Sequence, residues 1–159
     1  TFNSDGFVSM QNELYASKYG FLHAHNQTTN LNEFYGVQNS SKIMVVANKI
    51  PTTPKVYNNV SSQSNLVPSF VYFYSQVPVQ QSSDLVDNDF RPLEGVWFCA
   101  IRRNKLIPTS DGYTTDGLLT GEKMRNQAML IMWEWRVGNT PLQLQFLNIG
   151  FSISRGIPV

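Results

Sequence analysis

Met129-Leu130-Ile131-Met132-Trp133-Glu134-Trp135-Arg136-Val137 is the stretch whose pattern decides the fold class. Met129, Ile131, Trp133, Trp135 and Val137 take the odd positions, and Leu130, Met132, Glu134 and Arg136 the even ones. Side chains repeat every two residues on a strand and every 3.6 on a helix, so this alternation is a strand with one wholly apolar face. The other face turns polar toward its end, as in a strand that leaves a core and reaches solvent. Gly138-Asn139-Thr140-Pro141 supplies turn residues directly afterwards. Leu142, Leu144 and Phe146 then alternate with Gln143 and Gln145, and Ile149, Phe151 and Ile153 with Gly150, Ser152 and Ser154. The pattern predicts a hairpin and a further strand, a three-stranded meander closing the chain.

Upstream, Val67 to Val79 is apolar and aromatic through Phe70, Val71, Tyr72, Phe73 and Tyr74, with Pro68 and Pro78 bracketing it. Such a run suits a strand buried on both faces or lying against another subunit. Gly95 to Ile101 and Lys105 to Ile107 flank Arg102, Arg103 and Asn104, which predicts a second hairpin with Trp97, Cys99 and Ile101 on one face. Ile43 to Ala47, Glu13 to His23 and Phe34 to Val37 supply shorter strands, and Gly121 to Ala128 alone has helix-forming content, enough for one turn. Asn26 to Asn32, Pro51 to Asn65 and Gln80 to Pro92 are rich in Asn, Gln, Ser, Thr, Pro and Asp and read as long loops. Aromatics at 13% against 14% charged residues also favour strands. The expected fold is all-β, an antiparallel β-sandwich or jelly-roll barrel of about eight to ten short strands with long polar loops. With 159 residues, the expectation is one β domain spanning 1–159.

Composition excludes several functions. Twelve Lys and Arg against eleven Asp and Glu leave a net charge of +1, without the basic excess that neutralising many phosphates needs, so no nucleic acid is expected as a partner. A single cysteine, Cys99, forms no internal disulfide, and with only two histidines it is too little for a Cys/His zinc site. No apolar run reaches the length of a membrane span and no leader pattern is visible. Gly112, Gly117 and Gly121 lack the spacing of a phosphate-binding loop, so no nucleotide cofactor is implied.

The remaining polar constellations point to binding more than to catalysis. His23 and His25 would share one side of a strand and could take Glu33 as a third metal ligand, but two histidines at a strand end are more simply polar edge residues. No Gly-x-Ser-x-Gly elbow accompanies them, so no triad assembles and no enzyme is expected. Asp84, Asp87 and Asp89 place three carboxylates in six residues, as calcium candidates or as solvated groups pairing with Arg91 or Arg102. Loops on a rigid β scaffold are where recognition usually sits. Asn26, Thr28, Asn59, Ser61, Asp84, Asp87 and Asp89 are therefore the candidate receptor contacts, their amides, hydroxyls and carboxylates being suited to sugar hydroxyls. Trp97, Trp133 and Trp135 could stack on sugars, yet aromatics at period two are core residues first. Phe70, Tyr72 and Tyr74 exceed what one sandwich face needs, which makes them the candidate oligomer interface.

Val67 to Val79, Gly95 to Pro108 and Met129 to Ile153, with sparse charge and loops of Asn, Gln, Thr and Pro between them, resemble the protruding domain of a small non-enveloped RNA virus capsid protein. Nodavirus-like, tombusvirus-like and bee or insect virus capsids are the families of that style. The resemblance implies a β domain cut from a longer capsid protein, standing at the virion surface and associating with copies of itself as dimers or trimers. It further implies exposed loops that contact a host receptor, a glycan among the candidates, and no membrane insertion. The alternatives are a free-standing carbohydrate-binding lectin of jelly-roll type and a hydrolase using His23 or His25 with a carboxylate.

Overall fold

The computed structural model describes residues 3–25, 27, 31–75, 80–109, 112–114, 121–136 and 138–154. The chain divides into two compact units, one of Thr1–Ser41 with Arg136–Pro141 and one of Lys42–Trp135 with Leu142–Val159. The first unit holds an antiparallel meander of β1 (Gly6–Met10), β2 (Glu13–Lys18) and β3 (Phe21–Ala24), and a small hairpin of β4 (Glu33–Phe34) and β5 (Val37–Gln38). Its hairpins turn in two residues: Gln11 and Asn12, Tyr19 and Gly20, and Tyr35 and Gly36 all have positive φ. That geometry matches the right-handed twist of paired strands. Ala16 is the one fully buried apolar residue among the described residues of this unit, while Phe7, Val8, Met10, Phe21 and Leu22 are exposed.

The second unit contains two larger sheets. Four strands, β6 (Ser41–Ala47), β8 (Phe70–Ser75), β9 (Gln81–Val86) and β15 (Met129–Trp135), form a sheet in the order β6-β15-β8-β9. A five-stranded sheet is built on β7 (Lys55–Ser64) with β10 (Arg91–Leu93), β11 (Val96–Ala100), β14 (Arg125–Asn126) and β16 (Leu144–Ile153). β16 pairs along the whole of β7, so β11 and β14 share the opposite edge, at Asn59–Ser62 and at Lys55–Val56. β12 (Ile107–Thr109) and β13 (Gly112–Thr114) make a separate two-stranded ladder. Among the described residues the helical content is one 3₁₀ turn, Asp87–Asp89, and no helix is long and apolar enough to cross a membrane. The fold is all-β and antiparallel, a sandwich, as the period-two patterns predict.

Alternation places the core. Met129, Ile131, Trp133 and Trp135 on β15, Val71 and Phe73 on β8 and Leu85 on β9 are buried on one face of the four-stranded sheet. Tyr57, Val60 and Cys99 are buried on the five-stranded sheet. The Trp133 and Trp135 rings lie nearly parallel with centroids 6.0 Å apart. Polar bonds stitch the two sheets together: the Tyr57 hydroxyl donates to Ala47 O at 2.9 Å, the Arg125 N–H to Gln81 Oε1 at 2.7 Å, and buried Asn126 Nδ2 to Ser75 Oγ. Buried amides and hydroxyls need such partners, since an unmade bond there costs about 1–3 kcal/mol.

Several elements differ from the sequence expectation. β15 does not turn back on itself through residues 138–141; the next strand is the single ten-residue β16, which joins the other sheet. The register shift between Leu144 and Phe146 leaves Gln145 as an extra residue and breaks the alternation of β16, and that break imitates a strand end. Pro51 to Asn65 is not a loop, because Lys55–Ser64 is the strand around which the five-stranded sheet is built. Its buried positions are Lys55, Tyr57, Val60, Ser61 and Ser62; the core-facing set is Lys55 and Tyr57 before the bulge at Asn58 and Val60 and Ser62 after it, so the inward positions move from odd to even and the period is hidden. Gln80 to Pro92 holds β9, the 3₁₀ turn and the start of β10. The hairpin partner of β11 is β10, through Glu94 and Gly95 at φ 48° and 81°, and residues 101–106 are not a strand. Residues 121–128 form no helix; they contain β14.

Candidate interaction surfaces

The face of the four-stranded sheet opposite the core is a small grid. Phe70, Tyr72 and Tyr74 alternate with the buried residues of β8 and are half-buried. Register sets Glu134, Met132 and Leu130 of β15 beside them on one side, and Val86, Asp84 and Ser82 of β9 on the other. On β6, Lys42 Nζ lies 3.2 Å from Glu134 Oε2, and the Tyr57 hydroxyl touches both Ala47 O and Gln127 O, which aligns β6 antiparallel to β15. Met44 and Val46 therefore border Met132 and Leu130, and both are strongly exposed, at 62% and 61%. Twelve positions on four strands cover about 400 Å² of sheet, given spacings of about 4.8 Å across strands and about 6.7 Å per two residues.

The charges on this face are neutralised within it. Lys42 pairs with Glu134, and Asp84 Oδ2 lies 3.2 Å from Lys105 Nζ. What the face offers a partner is thus apolar and aromatic surface with balanced polar edges. The three aromatics expected at an oligomer interface are brought together here, joined by Met44, Val46, Leu130 and Met132, which sequence reasoning did not single out. The signal for the last two was present in the even positions of β15.

The candidate receptor residues are dispersed. Asn26 and Thr28 lie outside the described residues. Asn59 and Ser61 are strand residues of β7 rather than loop residues, placed on the outer face of the five-stranded sheet, with Ser61 only 8% exposed. Asp84 belongs to the four-stranded face, and Asp87 and Asp89 to the 3₁₀ turn. The three carboxylates are occupied separately: Asp84 by Lys105, Asp87 by the Asn88 N–H at 2.8 Å, and Asp89 by the Arg102 guanidinium and the Val86 N–H. They do not gather as a calcium set, and no group of three His, Cys, Asp or Glu side chains suited to a metal is present among the described residues. His23 and His25 do lie on one side, each with its ring edge against Tyr35 at centroid distances of 5.1 and 6.2 Å. Trp133 and Trp135 are core, and Trp97 is tied to the sheet by its indole N–H donating to Ser64 O at 3.1 Å.

The basic cluster is likewise engaged: Arg103 donates to Gly121 O at 2.9 Å, Arg102 pairs with Asp89, and Lys105 with Asp84. Burial pushes the Cys99 thiol up to about 11, with the Asp89 charge adding to the shift, so at neutral pH it is an inert thiol.

Residues 29–104, just under half of the chain, match the family model of the Crassvirus muzzle protein C-terminal domain. The match indicates a viral structural protein and fits a virion-associated location. No curated protein matches the chain. The matched span includes β6 to β11, and so three of the four strands of the apolar face.

Proposed function

We propose that this chain is a surface domain of a virion that packs against copies of itself through the outer face of the four-stranded sheet and contributes to host attachment. The observation that carries the reading is the joined apolar grid around Tyr72, with Met44 and Val46 open to solvent on a sheet whose other face is fully used by the core. Eight of its twelve positions are apolar or aromatic, and contiguous apolar surface of a few hundred Å² is often functional. A second copy suits it, because its ion pairs are closed internally and a neutral, flat, aromatic face matches another of its kind without stranding a charge. About 400 Å² per partner is half of a standard interface, so association of isolated chains is weak and gains strength when many copies are arrayed.

The role is binding rather than catalysis. Attachment is tested by adding the purified, fluorescently labelled chain to host cells: it should bind saturably and compete with virions. Absence of saturable binding would overturn the attachment role and leave the packing role standing.

A further inference from the structure

The outer face of the five-stranded sheet carries a second arrangement, of different chemistry. Its register aligns Arg91, Phe98, Ser61 and Asn148 in one row across four strands. Ala100, Asn59 and Gly150 make the next row. Beside them opens a cleft of about 360 Å³ lined by Asp89, Arg91, Phe98, Cys99, Ala100 and Arg102, a size that suits a small molecule.

The charges in the cleft do not cancel. Arg102 is anchored by Asp89, whose other oxygen holds the Val86 N–H at 2.9 Å. Arg91 is exposed and makes no ion pair among the described residues. Two guanidinium groups face one carboxylate, and Cys99, protonated at neutral pH, adds no charge. The surplus is one positive charge, on a side chain whose planar fork matches a carboxylate. A bare anion would use Arg91 alone. The ring of Phe98, directly across from it in the register, fits a ligand that also has a flat apolar face, as a pyranose has.

We propose that this cleft and the adjoining end of the row bind an acidic pyranose, with its carboxylate on Arg91 and its ring face over Phe98. The binding stands on the purified chain by itself and rests on the attachment role only for its use on the virion. It moves the glycan contact from the loops expected from sequence to a sheet face.

The test is a ¹H–¹⁵N titration of the labelled chain with D-glucuronate, D-glucose and acetate in parallel. D-Glucuronate should shift the amide signals of β10 and β11, with D-glucose and acetate each at least about tenfold weaker, and the affinity should fall as salt rises. Arg91→Gln should lose about tenfold or more while leaving the remaining spectrum in place. Equal affinity for D-glucose, equal affinity for acetate, shifts that map elsewhere, or an Arg91→Gln chain that binds as before would each overturn the proposal. Binding of D-glucuronate that leaves cell attachment unaltered would uphold the site and overturn its link to attachment.

Discussion

Gly150 offers a perturbation whose size follows from the coordinates. It opposes Asn59 at the register shift between β16 and β7, and a Cβ built there would lie 2.8 Å from Asn59 Cγ and Nδ2 and closer still to Oδ1. Carbon atoms do not sit that close, so Gly150→Ala must displace the Asn59 amide or part the two strands. Overpacking of this kind costs about 1–3 kcal/mol. Asn59 is only partly buried and has room to swing, which sets the expected cost near the lower end, about 1–2 kcal/mol. Replacing glycine returns about 0.4–1 kcal/mol through the unfolded chain, as Gly150 has no positive φ to forbid a side chain. The net loss for Gly150→Ala is therefore about 0.5–1.5 kcal/mol, read as a lower urea midpoint at unchanged slope. Removing the obstacle reverses the sign. Asn59→Ala combined with Gly150→Ala should be at least as stable as Asn59→Ala alone, a coupling of about 1–2 kcal/mol in a double-mutant cycle. A coupling under about 0.3 kcal/mol would refute the close packing of Asn59 on Gly150 and the register that produces it.

Alkaline pH should weaken the fold. Burial raises the Cys99 thiol from 9.0 to about 11 and the Tyr57 hydroxyl from 10.0 to about 12, so the unfolded chain ionises first and stability, intact below pH 9, falls between pH 9 and 12. A flat urea midpoint over this range would contradict that loss. At pH 8 the native Cys99 should react with a soluble disulfide reagent about 100-fold more slowly than in urea. Ser62 and Ser83 are buried with hydroxyls that have no hydrogen-bond partner among the described residues, so Ser62→Ala and Ser83→Ala should be neutral or stabilising by up to about 1 kcal/mol in thermal unfolding, and a loss above about 1 kcal/mol would contradict this. Trp133→Ala should cost about 3–5 kcal/mol, since the indole is fully buried between Phe90 and Trp135, and a loss under about 1 kcal/mol would place it outside the core.

The strands legible in the sequence are those rich in apolar residues: β15 stands where alternation puts it, and β8 and β6 fall on the apolar runs Val67 to Val79 and Ile43 to Ala47. β7 and β9 were hidden because their inward positions carry Lys55, Ser62, Gln81 and Ser83, residues that read as loop. Lys55 is fully buried with its ammonium donating to Ile50 O and Thr53 O at 2.9 and 3.0 Å, and burial lowers its pKa; hydropathy cannot register such a position. Alternation also says nothing about which sheet a strand joins, which is why the pattern predicts a hairpin between β15 and the residues of β16. The aromatic face was legible because Phe70, Tyr72 and Tyr74 share a parity. The row from Arg91 to Asn148 was not, as its four members come from four strands and meet only through register.

The central claim, that the apolar grid joins copies of this chain, is tested most directly by sedimentation equilibrium over a hundredfold range of concentration, with the wild type beside Met44→Glu/Val46→Glu. Both positions are exposed, so the variant keeps its fold. The account predicts a wild-type mass that rises with concentration and a variant that stays at 18.0 kDa. A wild type that remains a monomer throughout, or a variant that associates equally well, would contradict it.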